Sequence, residues 1–448
     1  MTYGQVLKPH PRAISRLLTT AIITFILTTA SWAASKETVL YTFQGGSDGD
    51  FSMAGLISDS RGNLYGTTYV GGDSNFGTVF KLAPDKKGGW TKTTILSFQG
   101  IPVDGSQPIG RLVFDAKGNL YGTTTQGGVG EDGEGTVYKL TPTKQGTWKE
   151  TILHTFDCFS NNDGCLPQSS LIFDQAGNLY GTTLQGGGGD NTTFCTNGCG
   201  TVFELSPSKG GGWTETQLHT FPNGDGGTPD GQNPYASLIF DQAGNLYGTT
   251  WVGGTDDEGV IFKLAPGSKG EWKETVLFRF HDLVNNPPDG ANAYAGLVMD
   301  KAGNLYGTTR DGGGKVTGGG VVFQLTPTTK GEWKEKVIHA FPSPRYHDGE
   351  LLMTGLTMDA TGNLYGAAPF GGGKQEPDCN DFDGCGIVFK LSPNSNGTWS
   401  ETILYAFQGG SDGSEPLPDW LLFDAKGNLY GTTSVGGIGD GVVFKLEP

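Results

Sequence analysis

Past residue 33 the chain contains no apolar run long enough to cross a bilayer as a helix. It contains no phosphate loop and no His-Glu-x-x-His helix, so the common nucleotide and metalloprotease signatures are missing. Basic residues are scarce: 30 Lys and Arg stand against 46 Asp and Glu, a formal charge of −16. A chain this acidic repels phosphate backbones and anionic lipid surfaces, which argues against nucleic-acid and membrane partners. No Gly-X-Y triplet runs through the 448 residues, so the 76 glycines do not make collagen. The same glycines exclude helical bundles, since each costs about 1 kcal/mol in a helix interior. What is present is a 35% hydrophobic fraction with 11% aromatic residues, enough for a packed core.

The N-terminus reads as an export signal over residues 1–33. A basic stretch ends at Arg16, an uncharged apolar run covers Leu17 to Thr29, and Ser31-Trp32-Ala33 puts small residues at the −3 and −1 positions. Cleavage is expected after Ala33; the alternative is an uncleaved anchor, since no charge appears before Lys36. The expected product is a soluble monomer, secreted or periplasmic. Six cysteines fall as close pairs: Cys158 with Cys165, Cys195 with Cys199, Cys379 with Cys385. In an oxidising compartment they are expected as three local disulfides. A four-thiolate zinc site from the first four is the competing arrangement.

Internal repetition organises everything after the signal. Gly-Asn-Leu-Tyr-Gly begins at Gly62, Gly118, Gly177, Gly244, Gly303, Gly362 and Gly427, with spacings of 56, 59, 67, 59, 59 and 65 residues. Each unit holds four short segments rich in β-branched and aromatic residues, here named a to d. In the third unit segment a reads Ser170 to Asp174, b reads Asn178 to Thr183, and c reads Gly200 to Leu205. Segment d reads like Glu150 to Phe156. Asp-x-x-Gly-Asn joins a to b, which fits a type I turn with Gly at positive φ. A variable Gly-Gly loop joins b to c, and a Pro…Gly…Trp stretch joins c to d.

Seven units of four antiparallel strands predict an all-β fold, a seven-bladed β-propeller over residues 34–448. The last unit supplies a, b and c but no d, while residues 37–43 are an orphan d strand. Pairing strand 37–43 with strand 441–446 would complete blade seven and remove an open edge. The motifs Gly-Asn-Leu-Tyr-Gly-Thr-Thr and Gly-Thr-Val-Phe-Lys-Leu, with an Asp-Gly loop before segment a, resemble the GloVer tandem-repeat family of exported bacterial proteins. The resemblance covers nearly all of residues 37–448. It implies location and fold, and no established activity.

Candidate chemistry must come from the loops. Every d-to-a loop carries an Asp-Gly: Asp48, Asp104, Asp163, Asp230, Asp289, Asp348 and Asp412. Seven carboxylates round one mouth would suit Ca²⁺ or a hydroxylated ligand, whereas Asp-Gly repeated as a turn needs no ligand. No other cofactor is expected. Asp59, Asp115, Asp174, Asp241, Asp300, Asp359 and Asp424 open the a-to-b turns and are expected as turn caps. His154, His219 and His339 share a d-strand position with Tyr41, Phe278 and Tyr405, which predicts a packing site. Directly after strand b the copies diverge: Tyr69, Thr125, Leu184, Trp251, Arg310, Pro369 and Ser434. Tyr69, Trp251 and Arg310, with neighbouring Phe370 and with His347 beside an Asp-Gly loop, form a candidate rim for a glycan or peptide. The expected role is therefore a binding or scaffold module for a glycan, peptide or surface polymer, without catalysis. The alternative is a metal-assisted lyase or lactonase of the kind found on propellers.

Overall fold

In each repeat an aspartate turns the chain back on itself. Asp59 Oδ1 accepts the backbone N–H groups of Arg61 and Asn63, and Oδ2 accepts Asn63 Nδ2 at 2.6 Å and the Tyr65 hydroxyl at 3.1 Å. Gly62 takes φ +79° to close the turn. The Asp–Asn and Asp–Tyr bonds recur at Asp115, Asp174, Asp241, Asp300, Asp359 and Asp424. These bonds hold the carboxyls of Asp59, Asp115, Asp241, Asp300, Asp359 and Asp424 below the usual range, against the opposing effect of burial. The turn-cap expectation is met.

The hairpin grows into a four-stranded antiparallel sheet. In the third blade strand a is Ile172–Phe173, b is Leu179–Thr183, c is Thr201–Pro207 and d is Trp213–Thr220, paired in that order. The fold is a seven-bladed β-propeller of such sheets, known from a computed structural model. The structure describes residues 35–447 except 130–132, 160–162, 189–194, 196–197, 223–229, 282–288, 314–318, 342–348, 374–378, 380–383, 418 and 438. The expected signal over 1–33 lies outside these. Among the described residues helix is confined to two 3-10 turns, Gly46–Asp48 and Gly410–Asp412, and no helix is long and apolar enough to cross a membrane.

The last blade confirms the closure, shifted by one residue at its ends. Strand Lys36–Thr42 pairs antiparallel with Val442–Glu447, from Lys36 opposite Glu447 to Thr42 opposite Val442. The Phe43 N–H then donates to the Gly441 carbonyl at 3.0 Å. Across the next seam Thr432 Oγ1 donates to the Ala54 carbonyl at 3.2 Å, so the seventh blade also meets the first.

Between blades lie the seven apolar clusters that form the core. The tyrosine of Gly-Asn-Leu-Tyr-Gly reaches across the seam. Tyr65 meets Phe114 and Trp148 edge-on at 5.2 and 6.2 Å, and Tyr121 meets Phe173 and Trp213 at 5.1 and 6.2 Å. The glycine that follows lets the strand c ring lie flat on strand b: a Cβ on Gly181 would come within 2.7 Å of Phe203 Cζ. The cysteines form three local disulfides, Cys158–Cys165, Cys195–Cys199 and Cys379–Cys385, so no thiolate remains for the zinc arrangement.

Candidate functional site

The Asp-Gly carboxylates sit at the seams between blades. Each described one faces the outer strand of the next blade, where Glu150, Glu215, Glu274 and Glu335 stand two residues after a Trp and Glu37 takes the same place without one. Asp104 faces Glu150, Asp163 faces Glu215, Asp230 faces Glu274, Asp289 faces Glu335, and Asp412 faces Glu37. Burial first, and the neighbouring aspartate second, push all five glutamates from 4.5 up to about 7. Their Oε1 atoms are buried and meet no N–H or O–H donor. The first seam differs. Lys92 replaces the glutamate and donates to Asp48 Oδ1 at 2.8 Å and to the Asp48 carbonyl. Asp348 lies outside the described residues. Among the described residues no group of three or more His, Cys, Asp or Glu is arranged to hold a metal ion.

The d-strand position read as a packing site does polar work at the same seams, which corrects that expectation. His154 Nε2 lies 2.7 Å from Asp163, while the Tyr41 and Tyr405 hydroxyls donate to Asp48 and Asp412 at 2.8 and 2.7 Å. Phe278 cannot do this, and the loop residue His281 replaces it with a 2.6 Å contact to Asp289. His219 and His339 instead stand 3.9 and 3.6 Å from Glu274 and Glu401, and all three histidines also pack edge-on against the following Phe, so the position combines packing with polar contact. The loops Gly45 to Gly49 and Gly409 to Gly413 also read as Gly-x-Ser-x-Gly. Both form 3-10 turns whose Asp binds a tyrosine, not the strand-to-helix elbow of an acyl hydrolase.

The irregular chemistry lies on the axis. The residues ending the d-to-a loops converge there: Met53, Ile109, Gln168, Tyr235, Tyr294, Met353 and Leu417 line one cavity of about 80 Å³. The Tyr235 and Tyr294 rings stack at 3.8 Å with an interplanar angle of 34°. Ser169, Ser237 and Asp419 supply its polar lining. Asp419 accepts the Ser170 hydroxyl at 2.6 Å, and its carbonyl accepts the Gly355 N–H at 2.8 Å. Burial raises the Asp419 carboxyl above its ordinary range, opposed by the Ser170 bond and the charge of Arg111.

One position explains how the axis is filled. Immediately before the leucine that opens strand a, the seven copies place Gly55, Arg111, Ser170, Ser237, Gly296, Gly355 and Trp420. Five small residues leave room for two large ones, and the Arg111 guanidinium lies 4.5 Å over the Trp420 ring. A Cβ on Gly296 would come within 2.7 Å of Trp420 Cζ2, and one on Gly355 within 2.5 Å of its Nε1. The seventh loop also carries one more residue between Asp-Gly and that leucine than the other six do, which brings Asp419 and Trp420 inward. Copy-by-copy alignment of this position would have revealed the site; attention to the position after strand b passed over it.

Of the expected rim, Tyr69 lies within electrostatic range of Tyr235, and Arg310 within that of Tyr294. Arg310 also stands 3.8 Å from Asp311. None of Tyr69, Trp251, Arg310 and Phe370 lines the axial cavity; Trp251 and Phe370 are half-buried, and the Trp251 indole N–H is buried without a partner. His347 lies outside the described residues.

No curated protein matches the chain. Among solved structures it is similar to a protein from Lactobacillus plantarum, with TM-score 0.46 and 14% identity over 78% of this chain and 83% of that one. It is also similar to a luciferin-regenerating enzyme, with TM-score 0.40 and 12% identity over 92% and 95%. A calcium structure of the Trichoderma reesei carbohydrate-active enzyme family AA12 gives TM-score 0.42 and 12% identity over 93% and 96%. The model of the Gloeobacter/Verrucomicrobia repeat matches residues 25–195 and 192–444, nearly the whole span over which the blades recur. The chain belongs to the Gloeobacter/Verrucomicrobia repeat family.

Proposed function

We propose that the propeller is an exported binding module that takes the end group of a glycan in its axial mouth. The observation that carries this reading is the Tyr235–Tyr294 stack beside Ser169, Ser237 and Asp419 in one cavity. Aromatic faces cover the apolar face of a sugar ring, and hydroxyl and carboxyl groups take its hydroxyls. The remaining polymer would cross the rim near Tyr69 and Arg310. Export agrees with three disulfides, which persist in oxidising compartments.

The test is a glycan and peptide array with the wild type, Tyr294→Ala and Arg310→Ala. Glycan binding is expected, with about fivefold loss in Tyr294→Ala and a smaller loss in Arg310→Ala, as stacking contributes on the order of 1 kcal/mol. Absence of any hit, or full retention in both variants, would count against the module. Metal analysis with a Ca²⁺-dependent thermal shift separates the metal-assisted lyase or lactonase reading. Bound calcium with a shift would favour that enzyme.

A further inference from the structure

On the other side of Trp420 lies a second, larger space. It has a volume of about 520 Å³, inside the ~300–1,000 Å³ range of small-molecule sites. Its walls come from the innermost strands, with Ile239, Val298, Met299, Met358 and Leu422 among the side chains, and Arg111 lines it beside Trp420. The two spaces share no lining residue.

Arg111 is the anomaly. It is half-buried and lines the channel, and the partial burial lowers its affinity for the proton. Its guanidinium stacks on Trp420 and makes no hydrogen bond or ion pair with any described residue. Asp419 offsets its charge from a distance, while that carboxyl is engaged by Ser170. A half-buried guanidinium whose N–H groups meet no protein acceptor but open onto an apolar space is available to an acceptor carried by a ligand. The planar fork matches a carboxylate with two parallel bonds. The turn aspartates at the hairpins of these strands do not compete for it, because their oxygens already accept Asn, Tyr and backbone donors.

We infer that this apolar channel is a ligand site for an aliphatic monocarboxylate, its carboxylate paired with Arg111 and its chain lying along the inner strands. The site is separate from the axial mouth and does not rest on the glycan reading.

Titration calorimetry of the full propeller with sodium octanoate, octanol, octyltrimethylammonium and sodium acetate tests it. Octanoate should bind at least tenfold more tightly than octanol or acetate, and the cation should not bind. Arg111→Gln should reduce octanoate to the level of octanol, with the thermal transition monitored to confirm folding. Val298→Trp, which fills the channel and spares Arg111, should abolish octanoate binding. Tyr294→Ala should leave it intact, which distinguishes this site from the mouth. Equal binding of octanoate and octanol to the wild type, no octanoate binding at all, or octanoate selectivity surviving in Arg111→Gln or Val298→Trp would overturn the site.

Discussion

At the seams the same side chains recur from blade to blade: a Tyr against the next blade's Phe or Trp, and an Asp against the next blade's Glu. On the axis one equivalent position holds Gly, Arg, Ser, Ser, Gly, Gly and Trp. The difference follows from geometry. A seam involves two neighbours and can be repeated seven times without conflict. The axis is one small space shared by seven copies, so identical large residues would collide and identical small ones would leave a void. Shape and charge specific enough to choose a ligand can therefore be built there without disturbing the ring.

The most damaging way to break this contrast is to open the ring. Deletion of residues 36–43 removes the outer strand of blade seven together with fully buried Phe43. A loss above about 4 kcal/mol is expected, seen as a collapsed thermal transition. A melt equal to that of the intact chain would refute closure.

Lys92→Glu makes the first seam like the others. At pH 8 it should destabilise by about 3 kcal/mol, because a buried pair is replaced by two facing carboxylates. The cost should shrink at pH 5. The five seam glutamates hold their protons to about pH 7 in the folded state, against 4.5 ordinarily. The stability tied to them is complete below about pH 4.5 and is lost as pH rises through 7. The turn aspartates work oppositely. Asp359 is lowered from 3.8 to about 2, so its contribution is present above 3.8 and is lost as pH falls through about 2. Urea unfolding at several pH values should therefore place maximal stability of the wild type near pH 4–5. A maximum at pH 8, or a cost of Lys92→Glu that does not change with pH, would sink the account of seam glutamates that stay protonated to about pH 7.

Tyr138→Phe makes the smallest change and sharpens the comparison. The other blades place Phe80, Phe203, Phe262, Phe323, Phe389 and Phe444 at this position. The Tyr138 hydroxyl is buried without a partner, and a Cβ on Gly122 would lie 2.5 Å from it. Removing it should stabilise by about 1 kcal/mol in denaturant unfolding. Destabilisation would mean that the hydroxyl has a task the seams do not explain.

The fold was legible because its instructions are local. Asp59 and Gly62 specify a hairpin within five residues, and seven repetitions count the blades. The orphan strand was legible because a unit lacking d and a d lacking a unit complement each other. The candidate site was only partly legible. Tyr69 and Arg310 were named, and each lies within electrostatic range of one tyrosine of the axial pair without lining the cavity. Tyr235, Tyr294, Asp419 and Trp420 were missed because they look like ordinary loop residues, and their contacts run between units. The seam carboxyls were read as a mouth because Asp-Gly marks a loop, not the neighbour that the loop faces.

From sequence alone came the number of wedges, their strand order and the clasp of the two ends, since turn residues and β-branched runs act over a few bonds. Which side chains meet was decided only by tertiary structure. Ser170 and Asp419 are 249 positions apart, yet they share a hydrogen bond, because a closed ring brings every copy of one loop position to the same axis.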